Sequence, residues 1–586
     1  MMNNLFSIEN LIEVSSKFSN SFKRFPFTLL SSFIASVCII IGLTEPDYNK
    51  AITKVGILCI LFLPLFFSTE VFEERKSTPK FLIRAIAVIA FLVLFFYGSP
   101  PADYILNDTT FLIKVIVLSL TFHLLVSVSP YLFDSKTSSF WHYNKTLFIN
   151  ILTAFINSGT LSLGLFLALM GIQNLFEFKI NEDWFFYVFV GINLFINTLI
   201  FVSKLPDFKK IDVDLDYPLG LKYFTQFVLL PLVAIYLGIL IAYESKIIFE
   251  WSLPKGWVSI MVLASAIFGI LAFLLIHPLK KDNKWIQSFG NLYYWILLPL
   301  IVLMLVAIYV RIKQYGITEP RYFVALLAIW LLGISLYFSI SKVDNIKLIP
   351  FSLLIVGLFG IYGPFNAFYS SRINQTNRML SVLNNKNLLR NGKINSPIKV
   401  EFKEVEKERF QAALEYLSER QPDALKGYLT EKQFNQLKEE KSENQRSELI
   451  FKMLNFENKY DSQKYFYFSC KDCEIFNLKN ADYLIEKENN KEGKGILKID
   501  DEAISWSLDS CELIFAINET EKVSFDLKSL INLNGNTIEK EKLTFENGNK
   551  KWHFRLLVEN GSSRNSKLEN IKWKLFLKRR NGESTF

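Results

Sequence analysis

A dense group of charged residues lies between two long apolar runs near the middle of the chain. Arg311 and Lys313 end the first run, and Glu319 and Arg321 begin the second. Because arginine forms forked hydrogen bonds with phosphate, this group could hold an anion, with Glu319 orienting Arg321. Pro320 starts a helix more readily than it continues one, which predicts a turn just before it. The alternative is a helix hairpin whose cations only anchor it among the lipid headgroups.

Two carboxylates in the first predicted outer loop could carry acid–base chemistry. Glu45 and Asp47 flank a proline in the segment Thr-Glu-Pro-Asp. A Glu-x-Asp pair at this place is a feature of membrane glycosyltransferases that use lipid-linked donors, and the layout of this chain is similar to theirs. The likeness implies Glu45 and Asp47 as catalytic residues. An enzyme acting on a lipid-linked, phosphate-bearing substrate is therefore one alternative for the function.

Amide side chains are the main polar groups inside the apolar runs. Asn157, Asn193 and Asn197 lie in the fifth and sixth runs, and the last two share a helical face. Such amides usually form hydrogen bonds between membrane helices. The alternative is a polar path lined by all three, as in a permease or carrier for a small solute. No Asp or Glu lies at the centre of a run, which disfavours a proton- or sodium-coupled carrier.

Three cysteines lie in the polar C-terminal part of the chain. Cys470 and Cys473 have Cys-x-x-Cys spacing, and Cys511 follows at a distance. We expect a structural disulfide first, a metal site completed by His553 second, and a redox pair third. The sequence has no Walker loop, dinucleotide glycine fingerprint, Gly-x-Ser-x-Gly elbow or zinc-protease histidine pair, so we predict no cofactor.

The elements that position these residues follow from the distribution of apolar residues. The chain has 586 residues, 51% of them hydrophobic, and its charge is sparse up to residue 369 and dense afterwards. A spanning helix needs about 20 mostly apolar residues. Eleven runs meet this need, although the third is short: 26–43, 52–71, 81–97, 108–129, 147–175, 184–203, 219–243, 257–277, 289–310, 321–340 and 348–369. We predict an α-helical polytopic membrane protein with an amphipathic segment over 1–25, a transmembrane domain over 26–370 and a soluble domain over 371–586.

The soluble part is predicted to be an α+β domain. Residues 403–456 carry apolar residues at helical spacing, and residues 460–586 are rich in β-branched and aromatic residues. Asn-Gly pairs at 534–535, 547–548 and 560–561 predict turns of a mostly antiparallel sheet. The predicted strands are 465–468, 495–499, 504–508, 513–517, 523–527, 543–545, 552–556 and 571–577.

Positive charge is unevenly distributed among the loops. Loops on the side of the N-terminus carry most of the lysine and arginine, which predicts a cytoplasmic N-terminus and, after eleven spans, a periplasmic C-terminal domain. The turn with Arg311, Lys313 and Arg321 is the most cationic loop on the other side. This pattern explains the net charge of +9 without nucleic acid as a partner. We expect the lipid bilayer, including anionic headgroups, as the partner, and the sequence identifies no protein partner.

Four segments indicate a family. They are Tyr315–Tyr322 (Tyr-Gly-Ile-Thr-Glu-Pro-Arg-Tyr), Leu65–Glu70, Leu219–Tyr223 and Gly360–Phe365. Together they resemble the signature of a bacterial membrane family, the domain of unknown function 4153, over most of residues 26–380. The resemblance implies a multi-pass protein of the bacterial inner membrane and supplies no catalytic residue. We expect a non-enzymatic envelope sensor, scaffold or binding protein, with a permease and an enzyme on a lipid-linked substrate as alternatives.

Overall fold

The fold is described from a computed structural model. Contacts divide the chain into two compact units, Met1–Leu454 and Asn455–Phe586. The structure describes residues 8–44, 50–76, 80–101, 108–133, 137–176, 178–207, 217–250, 257–281, 283–341, 345–398, 400, 402–440, 442–456, 466–471, 482–489, 494–499, 502–509, 511–518, 521–530, 535–539, 543–549, 551–564 and 567–579.

Apolar helices make up most of the first unit. Three π-helical turns occur among them, at Leu94–Gly98 after α4, at Gly191–Ile196 between α7 and α8, and at Phe224–Leu229 between α9 and α10. The helices are α1 (Ile8–Arg24), α2 (Pro26–Thr44), α3 (Lys50–Lys76), α4 (Lys80–Val93), α5 (Thr109–Val128), α6 (Thr137–Phe176), α7 (Asp183–Val190), α8 (Asn197–Ser203), α9 (Leu219–Tyr223), α10 (Leu230–Glu250), α11 (Trp257–Ile276), α12 (Lys284–Tyr315), α13 (Glu319–Ile340), α14 (Leu348–Tyr362) and α15 (Ala367–Asn385).

The predicted polytopic membrane fold is confirmed. Within the described ranges, nine helical segments are long and apolar enough to cross a membrane, and ten if α14 and α15, bent by 45°, form one broken span. The third predicted run forms a shorter apolar helix, Leu82–Gly98. Since lipid offers no hydrogen-bond partners, each apolar run satisfies its backbone groups by forming a helix. The chain is a multi-pass membrane protein.

Aromatic side chains fill the contact between α11, α12 and α13. Tyr294 is fully buried and packs against Phe273 and Phe338, with ring centroids 4.9 Å apart in both pairs. Tyr293 donates a hydrogen bond of 3.2 Å to the carbonyl of Ala266 on α11. Because lipid tails provide no hydrophobic drive for association, close packing and such interhelical hydrogen bonds hold membrane helices together.

Three further helices complete the first unit and are called the cap here. They are α16 (Glu404–Arg420), α17 (Glu431–Glu439) and α18 (Glu443–Leu454), and the short hairpin of β1 (Leu389–Arg390) and β2 (Lys393–Ile394) precedes them. Their apolar faces bury Phe410, Leu414 and Ile450 completely. A capping box at Thr430 and Gln433 starts α17. The helical pattern of residues 403–456 thus gives helices that pack together within the first unit.

The second unit consists of β-strands. Strands β5–β8 form a four-stranded antiparallel sheet, and a second sheet has the order β4-β12-β11-β3-β9, with β10 paired to β11. Trp573 of β12 contacts Trp506 of β6 and Phe515 of β7, so the two sheets share one core. The strands are β3 (Phe466–Lys471), β4 (Tyr483–Asn489), β5 (Lys494–Ile499), β6 (Glu502–Asp509), β7 (Glu512–Ile517), β8 (Glu521–Asp526), β9 (Gly535–Glu539), β10 (Thr544–Gly548), β11 (Trp552–Arg564) and β12 (Lys567–Arg579).

One predicted turn in this unit is wrong. Asn560 and Gly561 lie inside β11, opposite Lys572 and Ile571, where the pairing shifts register after Val558. The long pairing of β11 with β12 thus outweighs the local turn preference of an Asn-Gly pair. The eight predicted strands are all present, whereas β4 and β9 were not predicted, and β9 pairs with β3 in parallel.

Candidate functional site

The cationic turn predicted between two apolar runs is present and is tightly built. Helix α12 ends at Tyr315, and the N–H of Gly316 donates to the carbonyl of Ile312 at 2.8 Å. Gly316 has φ +77°, a backbone conformation that favours glycine. Helix α13 begins at Glu319, with Pro320 in its first turn, as the proline predicts.

Helix α15 holds this turn in place through two amide side chains. The Asn374 carbonyl oxygen accepts from the N–H of Ile317 at 2.8 Å. The Gln375 amide nitrogen donates to the carbonyls of Ile317 and Tyr315 at 2.9 and 3.2 Å. A Cβ on Gly316 would lie 2.7 Å from that nitrogen. The missing side chain of Gly316 therefore allows α15 to approach the turn.

Two arginines bind the carbonyl groups at the end of α12. Arg321 donates to the carbonyls of Gly316 and Tyr315 at 2.9 and 3.3 Å, and its guanidinium lies 5.4 Å from the Tyr315 ring centroid. Arg378 of α15 donates to the carbonyl of Gln314 at 2.7 Å. Cations at a helix C-terminus satisfy its orphan carbonyls and favour its dipole. Both guanidinium groups are half-buried and face the same turn.

Glu319 does not orient Arg321, contrary to the expectation from the sequence. Its carboxylate is 2% exposed and accepts a hydrogen bond of 2.6 Å from the hydroxyl of Tyr416 in the cap. Burial, and then the negative charge of Glu319, raise the pKa of Tyr416, which therefore remains a donor. Backbone carbonyls orient Arg321 instead, because Glu319 turns inward at the first turn of α13.

The other two cations of the turn point outward. Arg311 and Lys313 are exposed on the last turns of α12. Arg311 lies close enough to Arg321 for their positive charges to interact. On α16, the exposed Arg409 interacts in the same way with Arg378. The structure thus adds two arginines to the cations that the sequence singles out.

A second contact joins the cap to the membrane helices. The Glu443 carboxylate, at the start of α18, accepts from the N–H and the hydroxyl of Thr109 at 3.0 and 2.6 Å. Asp108 accepts from the N–H of Phe111 at 2.8 Å in the same first turn of α5. Arg420 of α16 pairs with Glu443 at 3.6 Å. One carboxylate of the cap, Glu443, therefore reaches the N-terminus of α5, while Tyr416 reaches that of α13.

In the described part of the chain, Asn157, Asn193 and Asn197 form no hydrogen bonds with one another. Asn193 lies in a π-helical turn and donates to the hydroxyl of Ser162 on α6 at 3.0 Å. Asn197 is half-buried at the start of α8, and Asn157 is exposed on α6. Asn193 thus makes an interhelical hydrogen bond of the kind the sequence favours.

The predicted carboxylate pair and most of the predicted cysteine group lie outside the described part of the structure. Glu45, Asp47 and Cys473 lie outside the described residues, and the side chain of Cys470 is likewise not described. Cys511 is buried in the turn between β6 and β7. A group of three His, Cys, Asp or Glu side chains able to hold a metal does not occur within the described ranges.

A family-like segment noted in the sequence has a clear structural role. Glu70, at the end of the segment Leu65–Glu70, is 2% exposed and accepts from the N–H groups of Phe27 and Thr28 at 2.7 and 3.4 Å. The Thr28 hydroxyl donates to the same carboxylate at 2.5 Å. Glu70 therefore satisfies the N-terminus of α2 from the neighbouring helix.

Comparison with known proteins identifies the family. The profile of the family described as "Domain of unknown function (DUF4153)" matches residues 30–387. The chain belongs to this family. The family match runs from α2 to just past the end of α15, so it includes Glu319, Arg321 and Arg378 but not the cap residues Tyr416 and Glu443.

One relative comes from Pasteurella multocida (strain Pm70), where it is described as an uncharacterized protein. It is 24% identical over 383 residues, which are 63% of this chain and 61% of the relative. The chain thus spans less than two thirds of that relative's length. No solved structure matches the chain.

Sequence reasoning missed the partners that build the site. These partners are polar residues of helices, and a helix sequence does not show which distant residues its polar side chains contact. They are Tyr416, Gln375, Arg378 and Glu443. One signal was available, because Gln375 and Arg378 lie three apart and share a helical face. Both residues belong to α15, which is amphipathic. Its apolar side chains, including Met379 and Val382, are buried. That pattern indicates a helix packed on other elements rather than a free linker.

Proposed function

We propose that this protein is an inner-membrane envelope sensor in which a periplasmic C-terminal part binds a ligand and the cap passes the change to the membrane helices. One observation supports this above all: the cap binds the first turns of α13 and α5 through Tyr416 and Glu443. A domain attached only by a linker would not need such contacts. The second unit, Asn455–Phe586, is called the β-unit here, and it follows the cap directly after Leu454 in the chain.

The strength of these contacts supports coupling between the cap and the membrane helices. A hydrogen bond to a charged group contributes about 1.5–3 kcal/mol. Glu319 is buried, so loss of Tyr416 leaves its carboxylate without that donor. Suppose that the cap has two conformations and that a ligand binds one of them more tightly by a few kcal/mol. Binding would then shift the population toward that conformation, and the helix ends bonded to the cap would change with it.

The orientation in this proposal is supported by the loop charges. Lysine and arginine favour cytoplasmic loops, and they are more abundant on the side of the N-terminus. The cap contacts α5 and α13 at the opposite ends from those loops. A periplasmic cap would place the β-unit where soluble envelope ligands occur.

Hydrogen exchange of the full-length protein in nanodiscs tests the coupling. Tyr416→Phe removes one hydroxyl and should increase amide exchange in residues 319–326 about tenfold, from a loss of about 1.5 kcal/mol. Glu443→Gln should do the same for residues 109–116. Tyr428→Phe is the matched control, because the Tyr428 hydroxyl has no hydrogen-bond partner within the described residues.

A ligand test follows from the same measurement. Muropeptides and envelope oligosaccharides are added to the wild-type protein, and binding is detected by protection in the β-strands. A sensor should also change exchange at 109–116 and 319–326, and Tyr416→Phe should abolish the change at 319–326. Protection confined to the β-unit would contradict sensing and leave only a binding protein. Equal exchange in Tyr416→Phe and Tyr428→Phe would refute the coupling itself.

A further inference from the structure

Four arginines converge around the end of α12, and we call them the arginine cluster. They are Arg311, Arg321, Arg378 and Arg409, from three helices and the cap. Arg321 and Arg378 both donate to carbonyls of residues 314–316. The charges of Arg311 and Arg321 act on each other, as do those of Arg378 with Arg321 and Arg409. Four positive charges thus share one small region.

Among the residues that the structure describes, the arginine cluster lacks the acidic partners that usually neutralise such a group. Within the described ranges, no carboxylate pairs with any of its four members. The nearby carboxylate of Glu319 is turned inward and bonded to Tyr416. Bringing like charges together without a counter-charge is unfavourable, and more so for half-buried groups. An anion between the guanidinium groups would remove that cost.

Hydrogen-bond donors of the cluster are also available. In Arg321 only Nη1 donates to the protein, and in Arg378 only Nη2 does so, among the described residues. The remaining N–H groups of each guanidinium form part of a fork suited to two oxygens of one phosphate. The carbonyl contacts hold both groups in fixed orientations, so a ligand would lose little side-chain entropy on their account.

The surroundings of the cluster are those of a membrane interface. Tyr309, Tyr315, Tyr362, Phe365 and Tyr369 are all exposed, and they lie at the ends of α12 and α14 and the start of α15. Exposed aromatic side chains mark the headgroup level of membrane proteins. The cap covers part of this end through Tyr416. A phosphate at this level would most readily come from a lipid.

We propose that the arginine cluster binds the phosphate of an anionic lipid headgroup. Arg321 and Arg378 would form the inner contacts, and the exposed Arg311 and Arg409 would add attraction from both sides. The site involves α12, α13, α15 and the cap, so the bound lipid would hold these elements together. This inference does not depend on sensing by the β-unit.

Lipid binding by the full-length protein tests the proposal. The delipidated protein in detergent is titrated with phosphatidylglycerol, cardiolipin or phosphatidylcholine, and retained lipid is counted by native mass spectrometry. The double variant Arg311→Gln/Arg409→Gln should weaken binding of the two anionic lipids about twenty-five-fold, from roughly fivefold for each arginine near a membrane surface. Both side chains are exposed and without hydrogen bonds in the described structure, so the fold should survive.

A matched control removes the same charge elsewhere. Arg390→Gln/Lys432→Gln also deletes two exposed cations, one on β1 and one on α17. It should bind anionic lipid within about twofold of the wild type, because neither cation belongs to the arginine cluster. Arg321→Lys keeps the charge but loses the fork, and it should reduce the preference for anionic lipid over phosphatidylcholine.

Three results would overturn the proposal. The first is equal anionic-lipid binding by the cluster variant and the control variant. The second is equal affinity of the wild type for phosphatidylcholine and phosphatidylglycerol. The third is saturation by inorganic phosphate alone with the affinity seen for lipid, which would assign the cluster to a soluble anion. Hydrogen exchange at residues 315–322 checks that each variant keeps the folded turn.

Discussion

At the scale of single residues, Gly316 is the most constrained position in the cationic turn. Its φ of +77° disfavours a side chain, and an added Cβ would lie 2.6 Å from Cδ of Arg378. Gly316→Ala should therefore lower the free energy of unfolding by about 1–3 kcal/mol, from strain and loss of the α15 contacts. Unfolding by steric trapping in bicelles measures the loss.

The control for this prediction is Gly333→Ala on α13. Among the described residues, no atom outside the neighbouring backbone of α13 lies within 4 Å of a Cβ built there, and the backbone is helical. Alanine favours a helix over glycine, so this variant should be neutral or slightly more stable. Equal stability of Gly316→Ala and Gly333→Ala would contradict the role assigned to the turn.

The buried Glu502 predicts a pH dependence in the β-unit. Its carboxylate accepts from the indole N–H of Trp552 at 2.8 Å and pairs with Lys551, and the hydrogen bond from Lys551 is the main cause that lowers the pKa of Glu502. Because the folded pKa is below the unfolded value of about 4.3, the unfolded state binds more protons at mildly acidic pH. The stabilisation is complete above the unfolded pKa and is lost as pH falls through the folded pKa.

Hydrogen exchange in residues 502–509 measures this effect. Protection should decrease in the wild type as pH falls below about 4.3, after correction for the intrinsic exchange rate. Glu502→Gln should start from a lower protection at neutral pH and change less between neutral and acid conditions. A variant with the same acid loss as the wild type would exclude Glu502 as its source.

Residue chemistry was predicted from the sequence better than residue partners. The cations of the turn, and the helix start at Pro320, follow from local rules, because charge and proline act within a few residues. The pairing of Glu319 with Tyr416 joins positions 97 residues apart. No local rule provides such a contact, so Arg321 was assigned the wrong partner.

At the scale of elements, Asn193 tests how the sixth apolar segment packs on α6. Its amide donates to the Ser162 hydroxyl and to the carbonyl of Phe189. Interhelical hydrogen bonds in membranes average about 0.6 kcal/mol, with a maximum near 1.7. Asn193→Ala should lower the free energy of unfolding by about 0.6 kcal/mol and by no more than about 1.7 kcal/mol. Steric trapping measures the loss.

Two further variants decide what the stability loss in Asn193→Ala means. Ser162→Ala should cost a similar amount, and the double variant with Asn193→Ala should cost less than the sum of the two. Asn157→Ala is the control, because Asn157 is exposed and its amide makes no hydrogen bond within the described residues. Additive effects of Asn193→Ala and Ser162→Ala would argue against the direct bond.

Helices and strands were predicted well where the apolar residues followed one regular spacing along the sequence. Apolar runs of membrane length became helices, and alternating runs such as 504–508 and 513–517 became paired strands. Asn560 and Gly561 are paired strand residues just after a bulge instead of a turn, since the long pairing of β11 with β12 outweighs a local turn preference. The cap helices followed from helical spacing, but their attachment to the bundle did not.

At the scale of the whole molecule, two kinds of solvent explain the division of the chain. The membrane helices expose apolar side chains such as Phe155, Ile235 and Ile267, which suits lipid on their outer face. The cap and the β-unit bury apolar cores under charged surfaces, as water requires. The cationic turn, Arg378 and Tyr416 lie where the membrane helices and the cap meet within the first unit.

Helix α12 provides a direct test of the proposed orientation. It has 32 residues and is thus roughly 48 Å long, enough to span a bilayer and its headgroups. Lys284 and Lys313 are exposed near its two ends. In spheroplasts, an impermeant maleimide should label Lys313→Cys at once, while Lys284→Cys should react only after permeabilisation. The wild type, with its own cysteines, gives the background. The reverse labelling pattern would place the arginine cluster and the cap in the cytoplasm and refute periplasmic sensing, whatever the total number of spans.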